Sequence, residues 1–170
     1  MPTPREVEVK YRLLNFVPGG MLVSHAVVTE IVQTYLKVPE GSLGLERRVR
    51  SATTNGEEQY TYTEKLPTGE SGTREERECA IGSIQYAELL QERDPTLDQI
   101  VKRRHRFIYE SRTIELDVYE GRNHGLVIVE VELQDISERA ELKFPASWEL
   151  VDVTDDPAYK NRALAEKVSA

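Results

Sequence analysis

The stretch "REVEVKYRL", residues 5–13, alternates without a break between charged and apolar side chains. Side chains along a strand point to opposite faces in turn, so Glu6, Glu8, Lys10 and Arg12 share one side and Val7, Val9, Tyr11 and Leu13 the other. Such a strand needs an apolar layer against one face, while its charged face meets either bulk water or other charges. The same pattern further along the chain bears on that choice.

Alternation recurs over residues 26–37, 44–52, 58–66, 73–81, 99–109, 112–120 and 126–134, which with the first stretch predicts eight strands. Turn-forming runs separate them, among them "VPGG" at 17–20, "VPEGSLG" at 38–44, "TTNGEE" at 53–58, "LPTGESG" at 66–72 and "YEGRNHG" at 119–125, so neighbours are expected to be antiparallel. Helices are predicted over 83–92 with Ser83 as cap, over 136–144 behind a capping box of Asp135 and Glu138, and over 157–167. The last has Asp156 as cap and Pro157 at its first position. With no repeat or linker, the expectation is a single domain over 1–170, mainly β (α+β): an eight-stranded antiparallel β-barrel with a few peripheral helices.

At 170 residues, 39% hydrophobic and 31% charged, the chain has the composition of a globular domain with a sizeable core. A net charge of -8 and a pI near 5.0 argue against general binding to nucleic acid or anionic lipid, so an anionic ligand would need locally concentrated Lys and Arg. Cys79 is the lone cysteine, expected as a small half-buried strand residue, and excludes an intrachain disulfide. The start "MPTPREVEVK" has no apolar signal core and no run approaches the roughly 18 apolar residues of a membrane span. No membrane partner and a cytoplasmic location are the expectations.

Aligning the strands repeats the opening pattern. One set of faces collects Glu6, Glu8 and Lys10; Arg48 and Arg50; Thr61, Thr63 and Lys65; Arg74, Glu76 and Glu78; Lys102, Arg104 and Arg106; Glu115, Asp117 and Tyr119; Glu130 and Glu132. In the first and last two strands the opposite faces are apolar, as in Val127, Val129, Val131 and Leu133. Two readings stand. The charges form a wet outer surface of cross-strand ion pairs, each worth a few tenths to about 1 kcal/mol. Alternatively the sheet closes with its charges inward, around a ligand that compensates them. For the second reading the inventory names the ligand. Glu6, Glu8, Asp117, Glu130 and Glu132 offer hard oxygens suited to Mg²⁺ or Mn²⁺, and Lys10, Arg48, Arg50, Lys65 and Arg104 suit phosphate oxygens. A metal–polyphosphate complex satisfies both sets, which is the arrangement phosphoryl transfer uses.

These residues resemble the triphosphate tunnel metalloenzymes, the CYTH superfamily. Its Glu-x-Glu-x-Lys signature is matched by Glu6, Glu8 and Lys10, and the context follows in order: "VQTYL", "RVR" at 48–50, "TEK" ending at Lys65, "REERE", "KRR" at 102–104, "ELDVYEG...GLVIVEVEL", and "DVT" followed by "YKNRALA". The resemblance implies an eight-stranded barrel forming an open tunnel, with a linear triphosphate on one side and divalent metal on the other. It assigns Glu6, Glu8, Asp117, Glu130 and Glu132 to metal and Lys10, Arg48, Arg50, Lys65 and Arg104 to the triphosphate. In short bacterial members a Tyr and Lys pair is implicated in hydrolysis, and Tyr35 and Lys102 occupy the matching positions. A lysine crowded by Arg104 and Arg50 would lose its proton more readily and could act on water with the phenol.

Some positions depart from the family pattern. "WELVDVT" lacks a Gly and has Asp152 where relatives carry Glu, and Thr34 stands where Gly is common. Glu115, Glu76 and Glu78 serve metal or pair with neighbouring cations. Arg74 and Arg106 read as rim residues, Trp148 and Tyr159 as packing residues, and His25, His105 and His124 show no ligand spacing. The leading functional expectation is a metal-dependent hydrolase of inorganic tripolyphosphate. Adenylate cyclase, thiamine, nucleoside or RNA triphosphatase activity, a non-catalytic polyphosphate-binding module and an unrelated barrel remain open alternatives. So do monomer and homodimer.

Overall fold

The computed structural model describes residues 7–67 and 74–167, which contain nine strands: β1 Val7–Leu13, β2 Val27–Tyr35, β3 Glu46–Thr54, β4 Glu57–Pro67, β5 Arg74–Ile81, β6 Ile100–Tyr109, β7 Arg112–Tyr119, β8 Val127–Leu133 and β9 Leu150–Asp152. Three short α-helices accompany them, α1 Met21–Ser24, α2 Ser83–Leu90 and α3 Asn161–Ala165. All eight expected strands are present; β9 is the addition. No helix among the described residues is long and apolar enough to cross a membrane. The chain divides into two compact units, Met1–Thr29 with Lys102–Lys160, and Glu30–Val101 with Asn161–Ala170.

In the first unit the strand order is β6-β7-β8-β1-β9. The pairs β6–β7, β7–β8, β8–β1 and β1–β9 are all antiparallel. The apolar faces of these strands build the core from Val9, Leu13, Phe107, Ile114, Leu116, Val127, Val129, Val131 and Leu133, against which Phe16, Leu142, Phe144 and Trp148 are laid. Trp148 meets Phe107 edge-on, ring centroids 6.3 Å apart, so it is a packing residue as expected. The cover is mostly irregular chain. The capping box of Asp135 and Glu138 forms, yet it starts only a 3-10 turn over Ile136–Glu141. Pro145 disfavours helical backbone at Phe144, and the run 142–148 is spent on the sheet instead.

In the second unit the order is β5-β4-β3-β2, with Glu46 opposite Lys65 and Lys65 opposite Glu76. Asn55 and Gly56, at φ 51° and 79°, make the tight β3–β4 hairpin, a turn that needs positive φ at both central residues. Helix α2 lies against β3 and β4, with the Tyr86 ring 4.5 Å from that of Tyr60. Its N-cap is Gly82 rather than Ser83, which is the first helical residue. The expected helix over 157–167 is a 3-10 turn, Pro157–Tyr159, and then α3, with Lys160 extended between them. Asp156 caps that turn through Ala158 N–H at 3.0 Å. Cys79 is exposed on β5 rather than half-buried.

Among the described residues the strands number nine rather than eight, and β5 and β9 stand at the ends of the strand order. The class, mainly β with antiparallel pairing and few helices, is as expected.

Leu116 is fully buried in β7, which is flanked by strands on both sides. Leu116→Ala should lower unfolding free energy by about 2–5 kcal/mol through lost burial and a residual cavity. Urea titration at unchanged m-value measures this; a midpoint equal to wild type contradicts this core.

Candidate active site

Register decides which charges meet on the first unit's other face. Glu8 lies opposite Glu132, Lys10 opposite Glu130, Glu130 opposite Glu115, and Arg104 opposite Asp117. Arg104 reaches three carboxylates: its Nε is 2.8 Å from Asp117 Oδ1, its Nη2 is 2.9 Å from Asp117 Oδ2 and 3.1 Å from Glu130 Oε2, and its Nη1 is 2.9 Å from Glu115 Oε2. Lys102 donates to Asp117 Oδ2 at 2.7 Å. Lys10 is held more loosely, 3.4 Å from Glu8 Oε1 and 3.6 Å from Glu130 Oε1, beyond hydrogen-bond range.

Asp117 is 0%, Lys102 3% and Glu130 6% exposed, so these charges are not a wet outer surface. Burial pushes the Asp117 pKa up, but the Lys102 ammonium and Arg104 guanidinium outweigh it and hold the carboxyl below the usual carboxylate range. Glu130 moves the other way. Burial, with the Glu8 and Asp117 carboxylates nearby, raises its pKa against the pull of Lys102 and Lys10. Burial also opposes the charge on Arg104, yet Asp117, Glu130 and Glu115 together hold its pKa above the usual value.

Glu8, Asp117, Glu130 and Glu132 of the expected metal set lie on this face, and Glu6 lies outside the described residues. The donor chemistry fits a hard divalent cation, since every side chain of the set offers carboxylate oxygens. Among the described residues no group of three or more His, Cys, Asp or Glu is arranged to hold a metal ion. The ion pairs account for this. Asp117 has both oxygens engaged by Lys102 and Arg104, and Lys10 stands beside Glu8 and Glu130.

The second unit carries a basic face of its own, with Arg48 and Arg50 on β3 and Lys65 on β4. Here the pairs are long: Arg48 to Glu76 3.6 Å and to Glu46 3.8 Å, Lys65 to Glu76 3.9 Å, and Arg50 to Glu78 4.0 Å. Glu76, Glu78 and Glu115 thus stand beside neighbouring cations. Tyr35, at the end of β2, is 2% exposed; its hydroxyl accepts from Gln33 Nε2 at 3.0 Å, and the Arg162 guanidinium sits 5.8 Å from its ring centre. Burial, then the Glu46 carboxylate, pushes its pKa up to about 12 against the pull of Arg48 and Gln33. At neutral pH Tyr35 therefore keeps its proton.

Two contributors escaped sequence reasoning. Thr154 clamps β1 at Lys10, its Oγ1 accepting from Lys10 N–H at 3.0 Å while itself 2.7 Å from Asp152 Oδ1. Arg139 also pairs with Asp152, so the divergent "WELVDVT" segment is a structural clasp on β1. The Asp-x-Thr spacing, a local turn pattern, was the available signal. Gln33 was legible too, two residues before Tyr35 and so on the same strand face.

Comparison with known proteins places this geometry. The CYTH domain family matches residues 4–162. An inorganic triphosphatase of Nitrosomonas europaea is 35% identical over 162 residues, covering 94% of this chain and 96% of that protein. An inorganic triphosphatase of Acetivibrio thermocellus is 36% identical over 108 residues, covering 63% of this chain and 65% of that protein. Among solved structures, the crystal structure of the inorganic triphosphatase NE1496 superimposes with a TM-score of 0.68 at 27% identity, covering 100% of this chain and 99% of that one.

Proposed function

This chain belongs to the CYTH domain family, and we propose on that premise that it is an inorganic triphosphatase, hydrolysing tripolyphosphate with Mg²⁺ or Mn²⁺ by in-line attack of water on a terminal phosphoryl group. The observation that carries this reading is the basic face of Arg48, Arg50 and Lys65. Their pairs with Glu46, Glu76 and Glu78 run from 3.6 to 4.0 Å, beyond hydrogen-bond range, so phosphate oxygens can compete with those carboxylates for the guanidinium and ammonium groups. Lys10 and Arg104 complete the triphosphate set, and Glu6, Glu8, Asp117, Glu130 and Glu132 the metal set. A divalent cation held there supplies neutralisation of phosphoryl oxygens and acidification of a water.

Tyr35 and Lys102 are the residues assigned to the hydrolytic step. The Tyr35 hydroxyl, protonated at neutral pH, can donate to negative charge developing on a phosphoryl oxygen. Lys102 is anchored on Asp117 at 2.7 Å, which fixes where its ammonium stands when water is oriented. The placement we propose is cytoplasmic, with a small triphosphate as partner and neither nucleic acid nor membrane. Light scattering decides between monomer and homodimer.

Phosphate release from tripolyphosphate, ATP and thiamine triphosphate, each with Mg²⁺, Mn²⁺ or EDTA, tests the reading. Expected is metal-dependent turnover of tripolyphosphate above the other two, lost in Glu8→Gln. A folded wild type that binds tripolyphosphate and releases phosphate from none of the three overturns the hydrolase.

A further inference from the structure

Lys10 stands where a cation is wanted, its ammonium 3.4 Å from Glu8 and 3.6 Å from Glu130, two carboxylates of the metal set. We propose that Lys10 is an internal counter-ion that keeps a divalent cation off Glu8 and Glu130 until a triphosphate draws its ammonium away, so that metal binds the triphosphate complex more tightly than the free protein. The inference rests on the triphosphatase reading, which supplies the anion.

Three observations single out Lys10 among the cations of this face. First, its ion pairs are too long to be hydrogen bonds, whereas Lys102 and Arg104 donate to carboxylate oxygens at 2.7 to 3.1 Å. The ammonium that leaves at least cost is that of Lys10. Second, its backbone is fixed on both sides. Its N–H donates to Thr154 Oγ1 at 3.0 Å and its carbonyl accepts from Val153 N–H at 3.0 Å, so exchange needs rotation of the side chain alone. Third, its side chain is 18% exposed against 3% for Lys102, which gives the ammonium a path to an arriving anion.

Electrostatics then links the two ligands. A divalent ion and an ammonium within about 4 Å of the same carboxylates repel each other, and that repulsion opposes metal binding to the free protein. A triphosphate takes the ammonium onto its own oxygens and leaves Glu8 and Glu130 one positive charge short, with Arg104 still on Glu130 at 3.1 Å, which favours the metal. By linkage, metal tightens triphosphate by the same factor.

The test is Mn²⁺ binding to metal-stripped protein without any triphosphate, read from the electron paramagnetic resonance signal of free Mn²⁺. Lys10→Met is expected to bind Mn²⁺ about tenfold tighter than wild type, within the usual range of such coupling, and Lys10→Arg to stay as weak as wild type. Lys10→Met binding equal to or weaker than wild type overturns the proposal. Should that variant not fold, the ¹⁵Nζ resonance of Lys10 in wild type carries the test. It should shift when tripolyphosphate is added in EDTA, and an unmoved resonance at saturating tripolyphosphate overturns the proposal. Neither readout uses turnover. A gain of Mn²⁺ affinity in Lys10→Met beside a wild type that hydrolyses nothing overturns the triphosphatase and retains the counter-ion; hydrolysis without the gain does the reverse.

Discussion

Asp117→Asn is expected to lower unfolding free energy by about 3–5 kcal/mol and to abolish triphosphatase activity. Asp117 is fully buried, and both of its oxygens are in use, one by Arg104 and the other by Arg104 and Lys102. An amide keeps the shape but loses the charge, and it turns an N–H₂ donor toward a guanidinium or an ammonium. Lys102 and Arg104 are then left beside a neutral group at a fully buried position, a greater loss than that of an exposed pair.

The pH dependence carries the same signature. Because Asp117 titrates below its unfolded value, its contribution is present above the unfolded carboxyl pKa near about 4 and is lost as pH falls through the folded value. Glu130 has the opposite sign. Its raised pKa contributes stability that is full below the unfolded value and lost as pH rises through the folded one. Subtracting the pH–stability curve of Asp117→Asn from that of wild type should leave an acid limb, with the wild-type advantage shrinking as pH drops below about 4. A difference that is flat with pH, or a urea midpoint unchanged at neutral pH, would place Asp117 outside any buried pair.

Strands were legible because alternation is a local signal that survives in each strand separately. β1 to β8 each have at least seven residues, enough for the pattern to repeat, whereas β9 has three and is defined only by pairing with Tyr11–Leu13. Helices were over-read for a complementary reason. The capping box at Asp135 is real, but a cap starts a helix without deciding its length, and the residues after it cover the sheet.

For the candidate site the split is between membership and partnership. That Lys10, Arg104, Asp117 and Glu130 share a face followed from period two. That Arg104 grips three carboxylates while Lys10 stands loosely between two depends on cross-strand register, which hairpin turns and long-range pairing set. The same limit hid Thr154, whose contact with Lys10 spans 144 residues of sequence.

Arg48→Ala is expected to lower kcat/KM for tripolyphosphate by about 100-fold or more while lowering stability by only about 0.5–1.5 kcal/mol. The two effects separate because the Arg48 pairs with Glu46 and Glu76 are 3.8 and 3.6 Å long, which leaves its hydrogen bond with the Tyr35 hydroxyl as the main polar tie to the fold. A guanidinium on phosphate oxygens makes two charge-assisted hydrogen bonds, each worth about 1.5–3 kcal/mol, and every 1.4 kcal/mol or so of lost transition-state stabilisation is about tenfold in rate. Arg48→Lys keeps the charge without the planar fork, so it should recover part of the loss and not all of it. If kcat falls with kcat/KM, the contact strengthens as charge develops on the phosphoryl group; if only KM rises, Arg48 holds the ground state alone. Unchanged kinetics in a folded Arg48→Ala protein would remove the basic face of β3 from the substrate site, and with it the observation on which the triphosphatase reading chiefly stands. The contrast with Asp117 is the sharper check, since a wet ion-pair surface predicts small effects from both substitutions, whereas a buried carboxylate anchor and a loosely held anion grip predict one variant that unfolds easily and one that folds but does not turn over.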